Sequence, residues 1–383
     1  MHRAMSTMPG GKNTDLQCLR AIAIILVMMQ HYRLRLPTPA AYSRLFDYFS
    51  FWTGVDIFFA ISGLLICHSF VRDLRDAPSW RDAAISFWIR RLGRLFPALL
   101  VWVAISIIVA AIAEHSPGAD VRAVATSGAA AVLGVSNAFW SYCVQHAVAC
   151  GHSDFNGVTW SLSLEWQLYA TLTFLIVAFS PRTAVLLMLL AAMVMSTFPA
   201  PSFSYLWAFR LQAFALGAAA FLALGRRGNL PSLPLHPLIC VTLLIAGIFI
   251  CISAPMQFRQ PFILPTVAIG AVLCLLSSLS DTGYSSRSRF AAPLVWIGER
   301  SYSVYLCHLP IILITKEILA RSIGLQVDFA HVSIGIAIAG VLIAVCSDLS
   351  YRFIEKPFQE IARRRLAELK SKQTNSVSQP FET

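Results

Sequence analysis

The sequence predicts an all-α membrane protein that crosses the bilayer about ten times. The 383-residue chain is 57% hydrophobic and 13% charged, with a mean hydropathy of +0.66, whereas a soluble domain carries about 25% charged residues. The apolar residues fall into runs of about 20, the length that a helix needs to cross a bilayer. The net charge of +11 lies mainly in short segments between these runs. That placement is typical of loops that orient membrane helices, and it argues against a nucleic-acid-binding surface.

The apolar runs define the order of the predicted elements. We expect a disordered N-terminal segment at 1–15, and an uncleaved first span because no small-residue cleavage site follows it. The predicted spans are 16–35, 48–70, 95–113, 158–179, 183–198, 204–224, 238–254, 262–279, 294–315 and 331–353. The membrane domain is therefore 16–358, and the basic segment 359–383 is predicted to be a disordered cytoplasmic tail.

An even number of spans places both chain ends on the same side of the membrane. The segments on that side hold most of the Lys and Arg residues, so the positive-inside rule predicts that both termini are cytoplasmic. The longest polar connection, 114–157, is then extracytoplasmic. It contains Cys143 and Cys150, which can form a disulfide only in an oxidising compartment, so their pairing stays open.

The first span carries two residues that do not belong in lipid, Arg20 and His31. They lie eleven positions apart, which puts both side chains on one face of a helix, about 16 Å apart along its axis. Because an arginine facing lipid costs at least about 2.5–3.5 kcal/mol, we expect this face to contact protein or a wet cavity. The alternative is that Arg20 is a snorkelling anchor and His31 an interface residue.

Two further arginines, Arg91 and Arg94, lie at the cytoplasmic start of the third span. They are three residues apart and share a helix face. Two guanidinium groups on one face repel each other unless an anion joins them, and phosphate matches their geometry. The alternative is that they only set the topology of the span.

Two acids, Asp56 and Glu165, lie inside predicted spans. Either could pair with His31 and raise its basicity, as a general base requires. They could equally form structural ion pairs or hydrogen bonds that lock helices together.

A third group of residues is predicted to line the substrate site. They are Trp160 and Ser163, which share a helix start with Glu165, and Tyr305 and His308, which lie one turn apart in the ninth span. The alternative for His308 is that it only caps a kink before Pro310. Ser161 lies at the same helix start as Ser163, and either serine could be an acyl-accepting nucleophile. A serine nucleophile would need a base within reach. The nine cysteines contain no CxxC pair and no Cys/His cluster, so no metal is expected.

Six sequence blocks in order resemble the membrane acyltransferase-3 family, the bacterial O-acyltransferases of surface and secreted carbohydrates. The blocks are Arg20 with His31, GVDIFFAISGLLI at 54–66, RRLGRLFP at 90–97, WSLSLEWQLY at 160–169, SYSVYLCHLPI at 301–311 and YRFIEKPF at 351–358.

The resemblance implies an enzyme of the bacterial inner membrane that moves an acyl group from acetyl-CoA or another acyl-CoA to a sugar hydroxyl. The acceptor would be a saccharide or glycolipid such as lipopolysaccharide or exopolysaccharide. His31 would be the catalytic base, with Arg20 its partner in the same motif. Arg91 and Arg94 would contact the acyl-CoA phosphates. Some relatives carry a further periplasmic hydrolase-like domain; we expect none here, so any later transfer step would need another protein. The alternative function is a transporter or flippase of an acylated or lipid-linked metabolite.

Overall fold

The computed structural model describes residues 13–113, 119–148, 150, 155–225, 230–280 and 290–377. All regular secondary structure within these ranges is helical. The helices of the first half are α1 (Thr14–Tyr32), α2 (Ala40–Leu45), α3 (Gly54–Asp76), α4 (Trp80–Ile112), α5 (Val121–Val132), α6 (Ser136–Gln145), α7 (Thr159–Ala178) and α8 (Pro181–Met195). Those of the second half are α9 (Tyr205–Ala208), α10 (Gln212–Leu224), α11 (Pro237–Gln257), α12 (Ile263–Ser278), α13 (Ala291–Glu299), α14 (Ser301–Ser322), α15 (Phe329–Ser350) and α16 (Lys356–Val377).

Each predicted span corresponds to helical structure, and the polytopic all-α prediction is confirmed. Within the described ranges, seven helical segments are long and apolar enough to cross a membrane, and α8 and α12 are shorter apolar helices. The ninth predicted span is divided at Arg300 into α13 and α14. The predicted disorder at 1–12 falls outside the described residues.

Helix boundaries follow local capping chemistry. The side chain of Asn13 accepts a hydrogen bond from the Leu16 amide and starts α1. The Ser79 side chain accepts a hydrogen bond from the Asp82 amide at the start of α4. The Asp328 side chain accepts one from the His331 amide at the start of α15. Such caps satisfy amide groups that the first helical turn leaves without a partner.

Several predicted boundaries differ from the structure. The helix of the third predicted span, α4, begins at Trp80 rather than at residue 95. The connection 114–157 contains α5 and α6, where small residues of α5 pack against α4. The basic tail is not disordered through its length: a π-helical turn at Tyr351–Glu355 leads into α16, which continues to Val377. Ala362 and Leu366 of α16 are buried, and this apolar face packs on α4. The predicted disorder at 378–383 lies outside the described residues.

The centre of the bundle is formed by α3 and α14, which are largely buried, whereas α11 and α15 are largely exposed. Exposed apolar side chains such as Ile245 and Val341 are what a lipid-facing surface requires. A very close helix contact is formed between α3 and α10. A Cβ atom at Gly63 would lie 2.0 Å from the carbonyl oxygen of Phe214, and one at Gly217 would lie 2.0 Å from that of Ala60. Only glycine permits this approach, which brings the start of α3 beside the segment before α10.

Cys143 and Cys150 form a disulfide that closes the segment after α6. The structure thus shows the disulfide whose formation the sequence left open. The other seven cysteines are free, and all except Cys346 are buried.

Candidate active site

An internal cavity of about 90 Å³ lies between α1, α3, α4, α7 and α14. A volume of this size holds several water molecules. The polar residues that line it are Arg20, Ser62, Arg91, Arg94, Ser161, Glu165, Tyr169, Ser301, Tyr302 and Tyr305. The cavity therefore joins the arginines of α1 and α4 to the aromatic side chains of α14.

Three guanidinium groups enter the cavity. Arg20 donates a hydrogen bond from Nε to Ser301 Oγ at 3.2 Å, so this face of α1 contacts protein as predicted. Arg91 and Arg94 both line the cavity from one face of α4. Within the described part of the chain, none of the three forms an ion pair with a carboxylate, and Arg94 Nε is buried without a hydrogen-bond partner. This arrangement leaves positive charge available for an anion.

Glu165 lies in the wall of the same cavity. The hydroxyl groups of Ser62 and Tyr169 both donate to its Oε1 atom. Its hydrogen-bond partners thus come from α3 and α7, and the predicted pairing with His31 is not found. Glu165 also interacts electrostatically with Arg20 and Arg91, so it contributes negative charge to the arginine end of the cavity.

A second buried acid, Glu355, was not predicted as a site residue. It lies in the π-helical turn before α16 and is 1% exposed. Ser303 donates to its Oε1 atom, whereas Oε2 is buried with no hydrogen-bond partner. Its charge acts on Arg94 and Arg20. In the sequence, Glu355 lies in the YRFIEKPF block, one of the six blocks that carry the family resemblance, and this position could have marked it as a site residue.

The two imidazoles lie further along α1 and α14. His31 Nδ1 is 3.1 Å from His308 Nε2, and the ring centroids are 5.1 Å apart. His308 is fully buried. The face of α1 that carries Arg20 therefore also turns His31 toward α14, and the predicted shared face is confirmed.

Hydrogen-bond geometry fixes the tautomers of this pair. His308 Nδ1 lies 3.1 Å from the carbonyl oxygen of Val304, which can only accept, so Nδ1 carries the proton. In a neutral ring Nε2 then has the lone pair. His31 must donate to it from Nδ1, which leaves the lone pair of His31 on Nε2. A neutral imidazole with a free Nε2 can take a proton from a hydroxyl.

Tyr305 connects the cavity with the imidazole pair. Its hydroxyl lies 2.6 Å from Ser161 Oγ and donates to the Val158 carbonyl oxygen at 2.9 Å, and its ring centroid is 5.8 Å from that of His308. Ser161 also donates to the Val158 carbonyl. No histidine or carboxylate in the described residues hydrogen-bonds to Ser161, so the structure offers this serine no base.

Asp56 has a partner that the sequence did not indicate. Arg210 donates from Nε to Oδ1 at 3.0 Å and from Nη2 to Oδ2 at 3.2 Å, and Arg210 is 1% exposed. The predicted pair of Asp56 with His31 is therefore replaced by a buried bidentate ion pair. The Arg210 guanidinium also lies 4.2 Å and 4.5 Å from the ring centroids of Trp207 and Trp160.

Three of the four predicted substrate-binding residues, Trp160, Ser163 and His308, do not line the cavity, whereas Tyr305 does. Trp160 packs on Arg210 and on Trp207. The hydroxyl of Ser163 accepts a hydrogen bond from the Ser136 amide and joins α7 to α6. The side chains of Trp160 and Ser163 therefore pack against neighbouring segments of the protein. Ser161, which lies between them in the sequence, lines the cavity.

Comparison with known proteins decides the family of this chain. The family model described as an acyltransferase domain, Acyl_transf_3, matches residues 13–349. The chain belongs to the acyltransferase-3 family. The expectation raised by the six sequence blocks is thereby confirmed, and the match covers every helix from α1 to α14 as well as nearly all of α15.

Several relatives within the acyltransferase-3 family are named for acyl transfer. Putative membrane-bound transacylase BcsY of Komagataeibacter xylinus is 30% identical over 368 residues, covering 91% of this chain and 83% of that protein. Peptidoglycan O-acetyltransferase OatA of Listeria monocytogenes is 29% identical over 371 residues, covering 89% of this chain and 55% of OatA. Putative peptidoglycan O-acetyltransferase YrhL of Bacillus subtilis is 25% identical over 379 residues. The chain spans about half the length of OatA and YrhL. No solved structure matches this acyltransferase-3 chain.

Proposed function

We propose that this chain is a membrane O-acyltransferase that moves an acyl group, in the first instance acetyl, from cytoplasmic acyl-CoA to a saccharide hydroxyl. One observation carries the proposal. The same face of α1 presents Arg20 to a cavity with unpaired guanidinium groups and His31 to a neutral imidazole pair. Family membership favours this function over a transporter or flippase.

The donor occupies the arginine end in this proposal. Arg91 and Arg94 bind phosphate groups of acyl-CoA, and Arg20 lies deeper beside the thioester-bearing arm. Glu165 and Glu355 limit the positive charge around the arm, and they reduce the repulsion between the arginines before the donor arrives.

The reaction needs one proton carrier. His31 Nε2 takes the proton of the acceptor hydroxyl while the oxygen of that hydroxyl attacks the thioester carbonyl carbon. The carbon–sulfur bond breaks, and the CoA thiolate leaves and takes the proton from the imidazolium. His308 accepts the hydrogen bond from His31 Nδ1 throughout and keeps the lone pair of His31 on Nε2. It is thus a positioning residue in this scheme, whereas the sequence placed it among the substrate-binding residues.

The acceptor is proposed to be a cell-envelope saccharide of a bacterium whose plasma membrane holds this chain. Two of the named relatives are peptidoglycan O-acetyltransferases. Peptidoglycan is therefore the first acceptor to test, ahead of the lipopolysaccharide and exopolysaccharide that the resemblance suggested.

His31→Ala tests the proposal. We expect transfer to fall at least about 100-fold, because a positioned general base contributes about 10²–10⁴-fold. The amount of protein in the membrane should not change. Purified protein in detergent is incubated with acetyl-CoA and soluble peptidoglycan fragments, and free CoA and acetylated product are measured. Mass spectrometry of envelope glycans from cells with and without the protein identifies another acceptor if peptidoglycan is not modified.

His146→Ala is the matched control, because His146 is an exposed histidine that stacks on Tyr142 far from the cavity lining. It should retain full activity. Undiminished transfer by His31→Ala would remove His31 from the mechanism. Absence of CoA release and of any acetylated glycan with the unaltered protein would overturn the proposed function.

A further inference from the structure

A second pocket adjoins the cavity at its arginine end. It has a volume of about 280 Å³ and is lined by residues of α3, α4 and α16. Arg91 and Arg94 line both spaces, so the pocket continues the cavity toward the predicted cytoplasmic side. We call it the outer arginine pocket and define it by Arg72, Arg90, Arg363 and Gln359 beyond the two shared arginines.

The outer arginine pocket is strongly basic. It presents five guanidinium groups, and no acidic side chain is among the described residues that line it. The nearby carboxylate of Asp73 holds Arg90 in an ion pair, and its other oxygen lies 3.8 Å from Arg72. One carboxylate thus orients two arginines and neutralises only part of their charge. The site is suited to a ligand with several negative charges in a small volume.

The C-terminal helix forms one wall of this pocket. A Cβ atom at Gly93 would lie 2.8 Å from Ala362 Cβ and 3.3 Å from the Phe358 carbonyl oxygen, so α16 lies directly against α4. This contact places Gln359 and Arg363, one helical turn apart, over the arginines of α4. Arg363 is 69% exposed and its only ion pair in the described residues is with Glu360 at 3.3 Å, so its guanidinium can turn toward a bound anion.

We propose that the outer arginine pocket binds the 3′-phosphate of the CoA donor, and that Arg363 of α16 makes the enzyme selective for that phosphate. This inference rests on the proposed function. In CoA the thioester lies at one end of the pantetheine arm, the diphosphate at the other end, and the 3′-phosphate beyond the diphosphate. With the pantetheine arm in the inner cavity and the thioester directed toward His31, the diphosphate lies at Arg91 and Arg94. The 3′-phosphate then falls among Arg72, Arg90 and Arg363.

The test compares acetyl-CoA with acetyl-3′-dephospho-CoA, which lacks only that phosphate. We expect the unaltered protein to prefer acetyl-CoA at least about tenfold in kcat/KM, since charge-assisted contacts to a phosphate are lost with the analogue. Arg363→Gln should reduce this preference at least about threefold through KM, with kcat for acetyl-CoA retained. Arg365→Gln is the control, because Arg365 lies on α16, is 73% exposed and pairs with Glu368 away from the pocket.

A binding measurement separates this inference from the proposed function. The thermal stabilisation of purified protein is measured with CoA and with 3′-dephospho-CoA, with and without phosphatidylglycerol. Greater stabilisation by CoA that is lost in Arg363→Gln supports the inference. Transfer from both donors with equal kcat/KM would overturn it and leave the proposed function intact. Stabilisation by phosphatidylglycerol but not by CoA would identify a lipid-headgroup site and overturn it as well. Failure of the protein to use or bind either donor would overturn both.

Discussion

The carboxylate of Asp56 and the guanidinium of Arg210 form a buried ion pair that links two parts of the bundle. Both residues are almost fully buried, and two hydrogen bonds join them. Arg210 also donates from Nη1 to the Trp207 carbonyl oxygen at 3.1 Å. Each charge is therefore satisfied only while the other is present. The pair joins the start of α3 to the segment before α10, so it acts on the packing of the two helices.

Removing one member of this pair should destabilise the fold. Asp56→Asn leaves the Arg210 guanidinium buried without a counter-charge, and such a change costs about 3–5 kcal/mol. We expect a clear fall in melting temperature and in the amount of protein recovered from membranes, measured by size-exclusion chromatography after heating. The double variant Asp56→Asn with Arg210→Gln should recover part of the loss, since no charge is then left unpaired. A normal melting temperature with loss of transfer in Asp56→Asn would instead give Asp56 the catalytic role that the sequence predicted.

Sequence reasoning placed Arg20 and His31 better than it placed their partners. The spacing of Arg20 and His31 predicted a shared face, and it is found, because helical periodicity is a local property. The partners Ser301 and His308 lie more than 270 positions further along the chain. The pair of Asp56 with Arg210 depends on how α3 meets α10, which no local pattern encodes. Ser163 and Trp160 were assigned to the site because they lie beside Glu165 in sequence, but a helix turns neighbouring residues to different faces.

At the scale of elements, α16 is the helix that completes the wall of the proposed donor pocket. Its apolar residues were overlooked because the basic composition of the segment predicted disorder. Ala362 and Leu366 are four residues apart and both are buried, which is the spacing of one helix face. By contrast, α5 is an apolar helix of only 12 residues, which is too short to cross a bilayer, so the search for runs of about 20 apolar residues left it in the polar connection.

Displacing α16 should weaken donor binding without unfolding the bundle. Gly93→Leu puts a side chain where Ala362 and the Phe358 carbonyl lie, so α16 must move away from α4. We expect KM for acetyl-CoA to rise about tenfold with kcat and melting temperature little changed, because α16 lies outside the central helices α3 and α14. Steady-state kinetics with varied acetyl-CoA measure this.

Gly340→Leu is the matched control, since a Cβ atom at Gly340 meets nothing within 4 Å. It should leave KM at the value of the unaltered protein. An unchanged KM in Gly93→Leu as well would show that α16 is not part of the donor site.

For the whole molecule, the proposed donor pocket and the disulfide lie in different parts of the fold. The outer arginine pocket lies near the C-terminal end of α3, in the first half of α4 and near the start of α16. The disulfide joins Cys143 in α6 to Cys150 after it. Disulfides persist in oxidising compartments, while acyl-CoA is cytoplasmic in the proposed reaction. The charge distribution that predicts cytoplasmic termini places α16 on the donor side. The proposed reaction therefore requires the two features to face opposite sides of the membrane.

Thiol labelling in intact cells tests this arrangement. After treatment with a membrane-impermeant reductant, an impermeant maleimide should label the unaltered protein at Cys143 and Cys150. The double variant Cys143→Ser with Cys150→Ser should lack these two labels. A cysteine introduced by Arg365→Cys on α16 should react only after the membrane is permeabilised. Six of the seven free cysteines are buried and should give little background. The double variant retains the partly exposed Cys346 and therefore measures its contribution. Labelling of Arg365→Cys in intact cells would place the arginines on the outer side, away from the acyl-CoA pool. Labelling only at Cys143 and Cys150 would mean that donor and acceptor approach from opposite sides, so that the acyl group must pass along the face of α1 that carries Arg20 and His31.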